Sequence, residues 1–165
     1  MIITVGILTI SDKGWRGERA DESGKAVREL ISRLDSRVER YEIVPDEMDI
    51  ISRKLKEWAD EGTIDVIITT GGTGLSQRDV TPEATLAILD KVVPGIAEAM
   101  RARTLEKTPM AMLSRATAGL RKKCLIINLP GSPKAVRECL EVALPAISHA
   151  VEIIKGVVTE HAIKS

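Results

Sequence analysis

Four short polar or glycine-rich segments carry the residue types that could bind a phosphate group or a metal ion. They are residues 11–14 (SDKG), 45–47 (PDE), 70–74 (TGGTG) and 130–133 (PGSP). Each segment directly follows an apolar run that predicts a β-strand. In an open parallel sheet the carboxyl ends of the strands lie along one edge, and ligands bind there. We therefore expect the four segments to converge on one site.

The glycine-rich segment is the most suggestive of the four. Residues 71–74 read GGTG, which lets backbone amides approach an anion without obstruction by side chains. A Walker loop would require Gly-Lys-Ser or Gly-Lys-Thr after four intervening residues, and a Rossmann fingerprint would require a glycine where Gln77 stands. The spacing thus excludes the two common nucleotide motifs. No Ser-His-Asp or Cys-His arrangement is present, and we interpret His149 and His161 as structural or surface residues.

The elements that position these segments alternate between β-branched runs and helical periodicity. This pattern predicts an α/β fold, with three α/β/α layers and a mostly parallel central sheet. Strands are expected at 2–10, 38–44, 64–70 and 124–129. Helices are expected at 26–34, 51–59, 95–106 and 109–118, and from Thr81 and Ser132 onward.

Several residues are expected to begin, end or bend these helices. Ser23 and Gly24 precede the first helix, and Thr81 and Ser132 stand before prolines as N-caps. Gly119 is expected to end the helix at 109–118 in a left-handed conformation. Pro145 is expected to kink the last helix.

Length and composition fit one domain over residues 1–165, with 24 Lys+Arg balancing 24 Asp+Glu. This balance argues against a general nucleic-acid binder, and we interpret the one dense basic run, 121–123, as a solvated strand entrance. No apolar stretch approaches the ~20 residues that span a bilayer, and the N-terminus lacks signal-peptide features. We expect a cytoplasmic protein without a membrane partner. Cys124 and Cys139 are expected to be buried thiols, with no disulfide framework or zinc site.

The glycine segment extends into a far more specific motif, GGTGLSQRDVTPEAT, over residues 71–85. Further segments at 9–12, 19–24, 44–46, 94–98, 112–115 and 129–133 follow in matching order. On these residues the sequence resembles the Mog/MoaB family of molybdenum-cofactor biosynthesis proteins, over roughly residues 4–155. The run RDVTPE at 78–83 indicates the Mog branch, the molybdopterin adenylyltransferases.

The resemblance implies adenylyl transfer from ATP to the phosphate of molybdopterin, with release of pyrophosphate. It implies Mg²⁺ as cofactor and identifies Asp46 and Asp79 as the catalytic pair that positions the metal and the nucleotide phosphates. The residues expected to bind phosphate and nucleotide are Ser11, Asp12, Gly71, Gly72, Thr73 and Gly74, of which the first two are equally suited to the pterin edge. The residues expected at the pterin are Ser114 and Arg115, placed on a helix, and Gly131 and Ser132.

Two functional alternatives stay open at this point. One is a non-catalytic carrier or scaffold that binds molybdopterin, although the presence of both Asp46 and Asp79 favours the enzyme. The other, molybdate insertion, is disfavoured because one domain leaves no room for the extra domains of insertion enzymes. The resemblance also implies a homotrimer, for which the helical stretch 94–120 would supply an interface, and docking to a molybdate-insertion enzyme.

Overall fold

A computed structural model describes residues 1–157 and gives a six-stranded sheet flanked by helices. The strands are β1 (Ile3–Ile10), β2 (Ser36–Val44), β3 (Val66–Thr70), β4 (Lys91–Val92), β5 (Ala118–Arg121) and β6 (Cys124–Leu129). The helices are α1 (Asp12–Trp15), α2 (Glu22–Ile31), α3 (Met48–Asp60), α4 (Thr81–Leu86), α5 (Pro94–Leu105) and α6 (Pro133–Lys155), with a 3-10 helix at Pro109–Leu113.

The strand order is β2-β1-β3-β6-β5-β4, and the pairs among the first four strands are all parallel. Side chains alternate between the two faces, so Ile7 and Ile68 join one core and Leu8 and Ile67 the other. Helices α2, α5 and α6 cover the first face, and α3 and α4 cover the second. The predicted three-layer fold with a mostly parallel sheet is confirmed. Burial on both faces explains why β1, β3 and β6 are almost continuously apolar.

Two of the predicted helix starts are wrong. The N-cap of α2 is Asp21 rather than Ser23, and its carboxylate accepts a hydrogen bond from the Gly24 amide at 2.9 Å. Thr81 does not cap α4, because it lies inside the first turn and donates its hydroxyl to the Gly71 carbonyl at 2.9 Å. Ser132 does cap α6, accepting from the Ala135 amide at 3.1 Å. Pro145 lies within α6, which extends from Pro133 to Lys155.

The predicted helix at 109–118 is also wrong. One short 3-10 helix ends at Leu113, and the chain then extends into β5, which pairs antiparallel with β6. The apolar residues that suggested helical periodicity are largely exposed: Met110 is 62% exposed and Met112 is 63% exposed. Gly119 is a strand residue opposite Val92, not a left-handed helix cap.

The basic run at 121–123 comprises the last residue of β5 and the two-residue turn to β6, and its first residue is not solvated as predicted. The Arg121 side chain is only 16% exposed and donates from two nitrogens to the Asp60 carboxylate, at 2.8 and 2.9 Å. These contacts lower the pKa of Asp60 to about 2. Arg121 therefore ties the antiparallel end of the sheet to α3.

The remaining expectations concern isolated residues. Cys124 and Cys139 are free and buried, and burial raises the pKa of their thiols to about 12 and about 11. His149 is exposed on α6, whereas His161 lies outside the described residues. Within residues 1–157, no helix combines the length and apolar character needed to cross a membrane.

Gly119 provides a test of the β4–β5 pairing. A methyl group there would meet the Lys91 carbonyl oxygen and the Leu89 side chain, so Gly119→Ala should lower the free energy of unfolding by about 1–3 kcal/mol. Gly95→Ala, on α5 with no atom within 4 Å of the added carbon, is the control and should change it by at most about 1 kcal/mol. Urea unfolding measures both, and equal stability of the two variants would contradict the assigned pairing.

Candidate functional site

The structure brings the four polar segments together at the carboxyl edge of the parallel strands. The Ser11 amide donates to the Val44 carbonyl at 2.9 Å, which joins the segments after β1 and β2. The Gly71 amide donates to the Leu129 carbonyl at 3.1 Å, which joins those after β3 and β6. Each pair of loops therefore remains bonded just beyond the sheet, as the order of the strands requires.

The glycine loop, residues 71–74, adopts a backbone that requires glycine at its first two positions. Gly71 has φ +101° and Gly72 has φ +70°, both in the left-handed region. A Cβ on Gly71 would collide with the Ile10 carbonyl, and one on Gly72 with the Thr81 hydroxyl. The loop therefore packs directly against β1 and α4.

A buried chain of hydrogen bonds supports the glycine loop from below. Asn128 donates to the hydroxyls of Thr69 and Thr85, both at 3.0 Å, and Thr85 donates to the Thr81 carbonyl at 2.8 Å. Thr81 in turn donates to Gly71, and all four of these polar side chains are fully buried. Buried polar groups of this kind hold their partners rigidly when every member is bonded. Sequence reasoning missed this chain, for which the only signals were an asparagine in an apolar strand and threonines one helical turn apart.

Several backbone amides in and beside the glycine loop lack a protein acceptor in the part of the chain that the structure describes. Across residues 1–157, the amides of Gly72, Thr73 and Gly74 donate to no protein acceptor, and the same holds for Gly131 and Ser132. The Gly71 amide, predicted to face phosphate, is instead bonded to Leu129. Amides that converge without protein acceptors form a concavity suited to an anion.

The carboxylates after β1 and β2 bond to each other's backbone. The Asp12 amide donates to the Asp46 carboxylate at 2.9 Å, and the Asp46 amide donates to the Asp12 carboxylate at 3.0 Å. Arg78 binds Asp12 through two nitrogens at 2.8 and 2.9 Å and lowers the pKa of that carboxyl. Burial raises the pKa of Asp46, and the charges of Asp12 and Asp79 raise it further.

Asp46 and Asp79 are the pair that could hold a divalent cation. One oxygen of Asp79 accepts from the Ser76 amide at 3.0 Å, and one of Asp46 accepts from Asp12. The other oxygen of each accepts no hydrogen bond within the part of the chain that the structure describes, where no cluster of three or more His, Cys, Asp or Glu is placed to hold a metal. Mg²⁺ is commonly bound through one or two carboxylates together with substrate phosphates. This pair fits that ligand set.

Two cavities open on either side of the glycine loop. The polar cavity, about 540 Å³, is lined by residues that include Ser11, Arg19, Asp21, Asp46, Gly71 and Ser132. The apolar cavity, about 410 Å³, is lined by residues that include Thr73, Gly74, Met100, Leu113, Ser114 and Ala135. Both are lined by Gly72, Asp79 and Gly131, which we call the shared wall. Two ligands in the two cavities would therefore meet at this wall.

The residues predicted for nucleotide and pterin do not separate cleanly between the cavities. Thr73 and Gly74, predicted for the nucleotide, line the apolar cavity beside Ser114, whereas Ser132, predicted for the pterin, lines the polar cavity. Asp12 lines neither cavity, because Arg78 holds its carboxylate. The placement of Ser114 and Arg115 on a helix is wrong: the 3-10 helix ends at Leu113.

Sequence reasoning missed one anchoring residue of the polar cavity. Asp21 accepts hydrogen bonds from the Thr9 hydroxyl at 2.7 Å and from the Tyr41 hydroxyl, as well as capping α2. Burial and the Asp21 carboxylate raise the pKa of Tyr41 to about 12. Asp21 lies within the motif segment 19–24, so the motif itself was the available signal.

The segments that form this site lie within the part of the chain that matches a known family. A family model described as "Probable molybdopterin binding domain" matches residues 6–149. The chain belongs to this molybdopterin-binding family. Comparison with individual proteins agrees with that membership.

Among curated relatives of this molybdopterin-binding chain, a molybdopterin adenylyltransferase of Helicobacter pylori is 48% identical over 93% of this chain and 89% of its own length. A molybdopterin adenylyltransferase of Escherichia coli K12 is 43% identical over 84% of this chain and 72% of its own length. A crystal structure of the molybdopterin biosynthesis enzyme MoaB from Thermus thermophilus superimposes with a TM-score of 0.89 at 54% identity. That match covers 94% of this chain and 98% of the other.

The Arg78–Asp12 pair of this molybdopterin-binding protein can be tested by titration. Arg78→Gln removes the cation that lowers the pKa of Asp12, so that pKa should rise towards its ordinary value. A carboxyl whose pKa is lower in the folded than in the unfolded chain stabilises the fold at pH values above its unfolded-state pKa, and this stabilisation is lost as the pH falls. Arg78→Gln has less of this stabilisation to lose, so its free energy of unfolding should fall less on acidification. NMR titration of the side-chain carboxyl carbons measures the pKa of Asp12 and also that of Asp60, which serves as the control. Arg121 still binds Asp60 in the variant, so the pKa of Asp60 should stay at about 2. An unchanged pKa of Asp12 in Arg78→Gln would contradict the assigned ion pair between Arg78 and Asp12.

Proposed function

We propose that this chain is a molybdopterin adenylyltransferase, which transfers AMP from ATP to the phosphate of molybdopterin and releases pyrophosphate. The relatives from H. pylori and E. coli that carry this name are 48% and 43% identical to it. The structural observation that carries the proposal is the shared wall, where Asp79 and the free amides of Gly72 and Gly131 stand between the two cavities.

In this reaction an oxygen of the molybdopterin phosphate attacks the α-phosphorus of ATP. The bond from that phosphorus to the oxygen bridging to the β-phosphate breaks, and pyrophosphate leaves with the electron pair. Positioning and charge neutralisation are the main tasks of a protein in such a transfer. One substrate in each cavity places the two reacting phosphates at the shared wall, with the free amides of Gly72, Thr73 and Gly74 available to them.

The polar cavity suits the phosphate-rich nucleotide and the apolar cavity suits the pterin. The polar cavity contains Ser11, Asp46 and the amide of Ser132 at the start of α6, whose positive dipole end favours an anion. The apolar cavity contains Ser114 and the Gly131 backbone among apolar side chains. Thr73 and Gly74, which were predicted to bind phosphate and nucleotide, would then contact the phosphate of molybdopterin in the apolar cavity.

Mg²⁺ is the cofactor that this arrangement suits. Bound between Asp46, Asp79 and the nucleotide phosphates, it would neutralise the charge that develops on the phosphoryl oxygens. Asp46 and Asp79 must be ionised to hold it. Because burial raises the pKa of Asp46 in the metal-free chain, protons should compete with Mg²⁺ for this carboxylate at a higher pH than they would at an ordinary aspartate.

The catalytic pair is tested with isosteric variants. Asp46→Asn and Asp79→Asn should each lower kcat by on the order of 100-fold or more, because each removes a negative charge that would hold Mg²⁺ at the reacting phosphates. Mass spectrometry of the adenylylated pterin and assay of pyrophosphate, at several Mg²⁺ concentrations, measure the reaction. Asp49→Asn, an exposed carboxylate in the first turn of α3 that lines neither cavity, is the control. Full activity of either catalytic variant would remove its assignment.

The same assay separates the enzyme from a non-catalytic carrier. A wild-type chain that binds molybdopterin tightly but forms no product, under conditions in which a known adenylyltransferase works, would be a carrier or scaffold. Product that depends on Mg²⁺ supports the enzyme. Docking to a molybdate-insertion enzyme, cytoplasmic localisation and one domain over 1–165 stay predictions.

We also propose a homotrimer whose interface includes the stretch 94–120. Several large apolar side chains in this stretch face solvent in the isolated chain, namely Leu105, Met110, Met112 and Leu113. Contiguous exposed apolar side chains favour a protein contact. Light scattering over a range of protein concentrations should give the mass of three chains, and a monomer throughout would contradict the proposal.

A further inference from the structure

Arg115 has a side chain that is bound to the protein rather than open to a ligand. It follows Ser114, but it lines neither cavity, and its guanidinium binds the backbone of the glycine loop at Gly74. The Arg115 amide donates to the Thr73 carbonyl at 2.9 Å. A backbone hydrogen bond thus joins Arg115 to the glycine loop, in addition to the contacts of its side chain.

The guanidinium then binds three further groups. Nε donates to the Gly74 carbonyl at 2.8 Å, and Nη2 donates to the Asp79 carbonyl at 2.7 Å. Nη1 pairs with the carboxylate of Glu83 in the first turn of α4. Each of the three side-chain nitrogens has a protein acceptor, and these bonds use three of the five N–H donors of the guanidinium.

These contacts fix the segment that carries the catalytic carboxylate. Gly74 and Asp79 are the two ends of a wide turn formed by residues 74–79, within which the Asp79 amide donates to the Ser76 carbonyl at 3.0 Å. The Asp79 carboxylate accepts from the Ser76 amide within that turn. Arg115 therefore holds both ends of the turn from outside, while Ser76 orients the carboxylate from inside.

Arginine suits this task better than lysine. The guanidinium is planar and presents its donors as a rigid fork, which can reach two carbonyls and a carboxylate at once. A lysine ammonium is a compact charge at the end of a flexible chain and would keep the pairing with Glu83 more readily than both carbonyl contacts. The side chain is 34% exposed, so the lysine could also remain hydrated.

We propose that Arg115 is a positioning residue for adenylyl transfer, acting through Asp79 and the glycine loop without contacting molybdopterin. The inference rests on the proposed function and replaces the role at the pterin that the sequence motif suggested. The groups that Arg115 binds are then groups of the protein itself. Loss of its side chain should therefore lower kcat, whereas loss of a substrate contact would raise the Kd for molybdopterin.

The test compares Arg115→Ala, Arg115→Lys and Glu83→Gln with wild type and with Arg137→Ala. Arg137 pairs with Glu29 at 2.9 Å between α6 and α2, lines neither cavity and serves as the matched loss of an arginine ion pair. For each variant, kcat, both KM values, the Mg²⁺ concentration at half-maximal rate and the Kd for molybdopterin are measured. Hydrogen–deuterium exchange of the amides at 71–80 reports the loop without requiring activity.

Displacement of a catalytic group by about 1 Å can cost on the order of 100-fold in rate, and we expect kcat of Arg115→Ala to fall by that order. The Kd for molybdopterin should stay unchanged, the Mg²⁺ requirement should rise, and exchange should accelerate at 71–80 alone. Free guanidinium ion, below the concentrations that unfold the protein, should restore part of kcat to Arg115→Ala. Arg115→Lys and Glu83→Gln should lose less than Arg115→Ala, and Arg137→Ala should lose nothing.

A rise in the Kd for molybdopterin that accounts for the whole loss, with kcat retained, would make Arg115 a substrate contact and overturn the proposal. Unchanged exchange at 71–80 with unchanged kcat would also overturn it. If Arg115→Ala does not fold, Arg115→Lys and Glu83→Gln carry the same comparison. Wild type that forms no adenylylated pterin would refute the proposed function and with it the role in adenylyl transfer, whereas accelerated exchange in the variants would still show that Arg115 restrains the glycine loop and Asp79.

Discussion

The parallel pairing of β2, β1, β3 and β6 is the constraint on which the site depends. Because these strands run in one direction, each delivers its following loop to the same edge of the sheet. Backbone bonds such as that from Gly71 to Leu129 continue the pairing just past the strands, so neighbouring loops start in contact. No short stretch of sequence could build this edge alone. The site exists only when strands distant in the chain are already aligned.

On this edge the glycine loop is held from three directions. Thr81 supports it from α4, Leu129 binds it from β6, and Arg115 binds its far end. These contacts use carbonyl groups and the first amide, which leaves the next three amides without protein acceptors. Rigid donors need little reorganisation when charge develops on a phosphate, and this is how such loops contribute to catalysis. The atoms that restrain the loop and the amides that are left without protein acceptors are therefore different atoms of the same residues.

The sequence alone predicts the parallel part of this fold well and the antiparallel part poorly. Strands such as β3 and β6 are buried on both faces, and their apolar runs indicate them directly. β4 and β5 are short, and their places in the sheet depend on the pairing of β5 with β6 and of β4 with β5, which no local pattern records. The same distinction holds in the site. Asp46 and Asp79 were predicted from a motif, whereas the partners of Arg115 depend on tertiary contacts between residues far apart in the chain.

The shared wall has a consequence for what happens after bond formation. Two separate ligands enter separate cavities, but the proposed product is one molecule that extends across Gly72 and Gly131 into both. When one half of this product leaves its cavity, the half that is still bound keeps it at a high effective concentration beside that cavity. Such a bivalent ligand dissociates more slowly than either of its parts. Under the proposed function, the fold would therefore retain the adenylylated product until both halves have left their cavities.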